Sequence, residues 1–127
     1  SKIINIEALT TSDMAKTEIL PAVMKFSKDV CDMAASKKAL GIEPVVETEL
    51  ANKANTLTIS LSEKIDALNA AIVKAQGVSD YAEQAKAYCD DVFVAMQSLR
   101  AVADELETIV GEEYWPFPTY DELLFNV

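Results

Sequence analysis

From Tyr81 to Ile109 the positions Tyr81, Ala85, Tyr88, Val92, Ala95, Leu99, Val102, Leu106 and Ile109 follow one another at alternating steps of four and three residues without a break. Only an α-helix returns side chains to one face at that spacing, since a strand alternates every second residue. An apolar stripe of this length needs partner stripes to cover it, and the chain supplies two. After Pro44, the positions Ala54, Leu57, Leu61, Lys64, Leu68, Ala71 and Ala75 repeat the rule, with Ile65 and Ile72 widening the stripe and Lys64 interrupting it. After Pro21, Val23, Phe26, Val30, Met33 and Leu40 do the same, with Lys37 as the exception. Three such stripes can share one core.

Punctuation divides the stripes. The chain has only three glycines, Gly41, Gly77 and Gly111, and Pro44, Pro116 and Pro118 follow close behind two of them. Glycine takes a left-handed backbone past a last helical turn, and proline suits a first turn but not a helix interior. These marks predict helices ending near Leu40, Gln76 and Val110. At 1.5 Å per residue each is roughly 45 to 50 Å long, and the short connections make neighbours antiparallel. Pro44 is expected in the first turn of the second helix, with Glu47 near the positive end of its dipole. Asp80 forms D-x-x-E with Glu83 and starts the third. The stretch from Thr10 to Leu40 reads helical throughout apart from Pro21, which is expected to kink the first helix or split it in two. The fold class is therefore all-α: an elongated antiparallel three-helix bundle, one domain over residues 1–127. A short C-terminal helix follows an extended tail rich in aromatics and proline.

Composition narrows the chemistry. A formal net charge of −10 over 127 residues repels phosphate backbones and anionic lipid, so neither nucleic acid nor membrane is expected as a partner. The sequence contains no histidine, which removes the usual neutral-pH proton shuttle and the E-x-x-H pairs of ferritin-like metal centres. The acids Glu47, Glu49, Glu63, Asp66, Glu83, Asp90, Asp91, Asp104, Glu105 and Glu107 fall mostly off the apolar stripes and read as solvated faces. Nucleotide-binding glycine motifs and C-x-x-C are absent, so no catalytic, cofactor-binding or metal-binding residue is assigned. Cys31 and Cys89 lie far apart within amphipathic runs and read as small buried hydrophobes. Tyr81 and Tyr88 read as inward-packing rings. No apolar run approaches the roughly 20 residues of a membrane span. The start SKIINIEALTT lacks the basic and apolar regions of a secretory signal, and a cytoplasmic setting is expected.

The last residues differ in character. GEEYWPFPTYDELLFNV, residues 111–127, holds the only tryptophan, Trp115, with Tyr114, Phe117, Tyr120 and Phe125. Aromatics at this density argue against a solvent tail. Thr119 and Glu122 form T-x-x-E, a capping box for a short helix through Leu123, Leu124 and Phe125. Either the tail folds back over the bundle, or it docks on another domain or subunit. In both cases Tyr114, Trp115, Phe117, Tyr120 and Phe125 are the packing or interface residues.

The stretch EEYWPFPTYDELLF resembles the C-terminal end of type III glutamine synthetases, in which Y-W-P-x-P-T-Y-x-x-[LM]-L-F follows a long helix. KTEILPAVMKF, Lys16 to Phe26, is similar to the helical I-x-P-A segment at which that family's terminal bundle begins. The resemblance implies a parent enzyme that ligates ammonia to glutamate at the expense of ATP, with Mg or Mn held by glutamates and a histidine on a β-sheet scaffold. No position here matches those metal, ATP or ammonia motifs, so the resemblance carries over domain identity alone. Members are several times longer than this chain, which is expected to be an excised C-terminal domain with no cofactor of its own. The function implied is non-catalytic: packing against the catalytic domain or against neighbouring subunits of a homo-oligomer. The alternative is a freestanding helical interaction module, for which the proline-aromatic ending has no evident use.

Overall fold

The computed structural model describes residues 2–117, and among these every regular element is helical. Helix α1 (Lys2–Met14) passes through a π turn (Ala15–Ile19) into α2 (Leu20–Ala39), and the three run on as one long rod. Helix α3 (Val45–Gln76) returns alongside it. Helix α4 (Tyr81–Ala87), a second π turn (Tyr88–Val92) and α5 (Phe93–Ile109) form a third rod. At 1.5 Å per residue the rods are about 57, 48 and 43 Å long, so the third is the shortest. Helix α3 packs against both α2 and α5, while α1 meets α3, α5 and the second π turn. The connections expected at Gly41 and Gly77 are where the chain turns, and the bundle is antiparallel. None of the described helices is long and apolar enough to cross a membrane.

The first turn is a Schellman motif. Gly41 has φ +76°, and the N–H groups of Gly41 and Ile42 donate to the carbonyls of Lys38 and Lys37 at 3.0 and 2.9 Å. Glycine is needed there because a Cβ disfavours that backbone. Gly77 differs from expectation: its φ is −81°, ordinary helical backbone, and Gly111 has no positive φ either. The end of α3 is satisfied by Gly77 N–H to Val73 and Lys74, and by the Gln84 side chain, which donates to the Ala75 carbonyl at 3.1 Å. The D-x-x-E start holds, since Asp80 Oδ2 accepts from the Glu83 N–H at 2.9 Å. Pro44 is the N-cap rather than a first-turn residue, with the helix opening at Val45. Lys37, the exception on the first stripe, reaches across the turn to pair with Glu47. This holds the Glu47 carboxyl below its ordinary value, helped by the backbone N–H at that helix start.

Pro21 does not split the first rod, which begins at Lys2, well ahead of the expected Thr10. Proline lacks an N–H, and its ring crowds the carbonyl four residues back. The chain opens a wide turn just before it, and the Leu20 N–H reaches back five residues to Ala15. Each π turn takes up an extra residue, which shifts the phase of the buried stripe. Buried positions step by four twice in succession through both wide turns: Ala15, Ile19, Val23 in the first rod and Tyr88, Val92, Met96 in the third. Beyond the second wide turn the fully covered residues are therefore Met96, Leu99, Ala103, Leu106 and Val110. Ala95, Val102 and Ile109, expected at the seam, flank it half-buried. On α3 the buried line runs through Ala54, Leu61, Ile65, Leu68, Ile72 and Ala75, so Ile65 and Ile72, expected only to widen the stripe, lie within it, and Leu57, Lys64 and Ala71 flank it half-buried.

Three further expectations are corrected. Tyr81 is 86% exposed, because it opens α4 at the bundle end, where neighbouring turns do not enclose its ring. Met33 and Leu40 are 52% and 79% exposed, because α5 stops short of them. Cys31 and Cys89 are both exposed free thiols, set off the buried faces that Val30 and Tyr88 occupy. The short helix expected from Thr119 and the placement of Pro118 lie outside the described residues.

The core places its weight on α3. Leu61, fully enclosed, is expected to cost about 2–5 kcal/mol when cut to alanine, from lost transfer energy plus the cavity left behind. Tyr81→Ala is expected to stay within about 0.5 kcal/mol of the parent. Denaturant titration of the two variants checks both.

Candidate functional site

The aromatic segment is where distant parts of the sequence meet. Val110 is buried, and the chain then turns at Glu112–Tyr114 instead of running extended, with the N–H groups of Tyr114 and Trp115 donating to the Gly111 carbonyl at 3.0 and 3.3 Å. The turn brings Tyr114 back against α2. Its ring meets Phe26 edge to face at 5.4 Å between centroids and 77° between planes, a geometry that sets a positive ring edge on a negative face. Its hydroxyl donates to Asp29 Oδ2 at 2.6 Å, a short, charge-assisted bond. Trp115 and Phe117 meet edge to face at 6.4 Å. All three rings are half-buried and pack on the bundle core. Tyr120 and Phe125, the other two residues of this set, lie outside the described residues.

Phe26 was legible as a stripe residue. Asp29 was not, because a carboxylate 85 residues from its partner carries no local mark. The bond to Asp29, aided by burial and by the charges of Asp29 and Glu113, pushes the Tyr114 phenol up from its ordinary 10.0 to about 12.

At the opposite end, α1 and α4 enclose an open recess of about 400 Å³, lined by Lys2, Asn5, Tyr81, Gln84, Ala85 and Tyr88. Tyr88 is buried as expected, and its hydroxyl donates to Asn5 Oδ1 at 3.1 Å. Midway, the buried Ser12 donates to Asn69 Oδ1 at 2.6 Å. These bonds set the register of the rods. Among the described residues, no three His, Cys, Asp or Glu side chains are grouped to hold a metal ion. The arrangement at Tyr114 can clasp and position a segment, and no bond-making group is aimed at it.

Folding favours the protonated phenol, so between pH 10 and 12 the unfolded chain has released a proton that the folded chain retains. Stabilisation by this bond is complete below about pH 10 and is lost as pH rises through 12. Tyr114→Phe is expected to lower the unfolding midpoint at neutral pH and to flatten its fall over that interval, read by denaturant titration at a series of pH values. Trp115→Ala is expected to cost about 1–3 kcal/mol, less than a fully buried indole would.

The first 38 residues match a sequence profile described as glutamine synthetase C-terminal domain. Over 129 residues the chain is 30% identical to a glutamine synthetase of Butyrivibrio fibrisolvens, covering 100% of this chain and 18% of that protein. It is 28% identical over 136 residues to a type-3 glutamine synthetase of Dictyostelium discoideum, covering 98% and 18%. It is 26% identical over 130 residues to a glutamine synthetase of Bacteroides fragilis strain YCH46, covering 97% and 18%. The chain thus spans about a fifth of the length of these curated relatives. No solved structure shows a significant match. Along its whole length the chain is related to the glutamine synthetases, a type-3 member among them, and its first 38 residues match the profile of a glutamine synthetase C-terminal domain.

Proposed function

We propose that the chain is the non-catalytic C-terminal helical domain of a type III glutamine synthetase, and that it serves packing against the catalytic region or assembly of subunits. The observation that carries this reading is the full-length similarity to glutamine synthetases that are each more than five times longer. In the parent enzyme, ATP and Mg or Mn would supply phosphoryl transfer at a site outside these residues, in the cytoplasm. Surface chemistry supports a packing role. Ile3 and Ile6 are 71% and 63% exposed, on the side of α1 turned away from the buried Ala8, Ser12 and Ala15. Paired apolar side chains on an outer face suit a partner that removes them from water.

The isolated chain is expected neither to form glutamine nor to hydrolyse ATP when given glutamate, ammonia and Mg²⁺ or Mn²⁺. Activity that survives repurification and scales with the protein would overturn the reading. A reading frame upstream of Ser1 that encodes no glutamine synthetase catalytic region would favour a freestanding interaction module instead. Replacing Ile3 and Ile6 with serine is expected to leave the isolated domain's unfolding midpoint nearly unchanged while weakening subunit assembly of the parent, read by sedimentation.

A further inference from the structure

Two amide side chains at the α1–α4 end of the bundle are each held by one atom and left open at the other. Asn5 Oδ1 accepts from the Tyr88 hydroxyl at 3.1 Å and, more loosely, from Gln76 Nε2 at 3.5 Å. Its carbonyl oxygen is thus engaged, and its Nδ2 group keeps both hydrogens unpaired among the described residues. Gln84 is held the opposite way. Its Nε2 donates to the Ala75 carbonyl at 3.1 Å, which leaves Oε1 an acceptor with no partner among the described residues. Both side chains line the recess of about 400 Å³, together with Lys2, Tyr81, Ala85 and Tyr88.

The recess has the make-up of a small-molecule site: apolar and aromatic walls from Tyr81, Ala85 and Tyr88, with a few polar groups among them. Those amides are pinned by their hydrogen bonds, so little ordering cost opposes a ligand. Tyr88 forms the floor, since it is buried, and it opens the second π turn, a widening of the helix frequent at functional sites. Lys2 is the one charged residue of the lining, and no acidic residue shares it. These groups select the ligand. A cation beside amide N–H donors suits a carboxylate, and Gln84 Oε1 calls for an N–H donor in return. A simple anion is repelled by the chain's net charge of −10, whereas a zwitterion carries no net charge to be repelled. The remaining wall is apolar and suits an uncharged side chain.

We propose that this recess binds a free α-amino acid with an apolar side chain. Lys2 and Asn5 Nδ2 hold its carboxylate, Gln84 Oε1 accepts from its ammonium group, and its side chain lies against Tyr81, Ala85 and Tyr88. Tyr81 gains a use from this assignment. Its ring is too exposed to serve the bundle core, but it lines the recess and supplies an apolar wall with a polar tip toward water. The site stands on the bundle's own geometry and does not depend on the glutamine synthetase relationship or on a packing role.

L-Phenylalanine and L-leucine are the probes, titrated into the full chain and followed by backbone amide NMR. The Gln84 and Ala85 signals are expected to shift saturably, while that of Gly41, at the far end of the bundle, stays in place. Phenethylamine lacks the carboxylate and 3-phenylpropanoate lacks the ammonium group, and each is expected to bind about tenfold more weakly than phenylalanine or worse. Lys2→Met and Tyr81→Ala, both at exposed positions, are expected to weaken phenylalanine binding severalfold while leaving the unfolding midpoint in place. Gln84 and Ala85 signals unmoved by either amino acid, equal binding of either truncated probe, or full affinity in both variants would overturn the proposal.

Discussion

Burial of the α3 seam is the interaction on which the rest of the molecule rests. Leu61 and Leu68 are wholly enclosed, and α3 is the element that packs on both α2 and α5. An all-α chain of this size has no sheet to organise it, so a central rod must present apolar surface to two neighbours at once. Because its partners differ in length, α3 lives in two environments. Along Leu61 to Ala75 it lies among three rods. Along Val45 to Leu57 it lies beside the first rod, and apart from the buried Ala54 its apolar side chains there are half-covered or bare.

The wide turns follow from the same seam. A stripe stepping by three and four has a period of 3.5 residues, whereas a straight helix turns every 3.6, so a long stripe drifts off its partner. Supercoiling is one remedy, and an extra residue in a wide turn is another. The chain uses the second twice, and in the first rod the wide turn also accommodates Pro21, whose missing N–H would have left a break in a regular ladder.

Relationship to glutamine synthetases gives this surface a context. Three kinds of contact are built into the bundle at different heights: a polar bond between Asn5 and Tyr88 at one end, the apolar seam in the middle, and the Tyr114 clasp on Asp29 toward the other end. The first and last join segments more than 80 residues apart in sequence. They fix how the rods and the aromatic segment sit relative to one another.

Helix number, the turns at Gly41 and Gly77 and the α3 seam were legible in the amino-acid sequence, because helical periodicity, glycine and proline act locally. The D-x-x-E start at Asp80 was legible for the same reason. Tertiary structure alone decided the rest. The stripes through Met33, Leu40 and Tyr81 have the right period, yet period says only that a face is apolar and not whether a neighbour is long enough to cover it. Cys31 and Cys89 read as buried because their runs are amphipathic, but one residue of phase separates an inward position from an outward one. Asp29 became the partner of Tyr114 only when the turn after Gly111 brought the phenol back to α2, and no spacing within either segment encodes that distance.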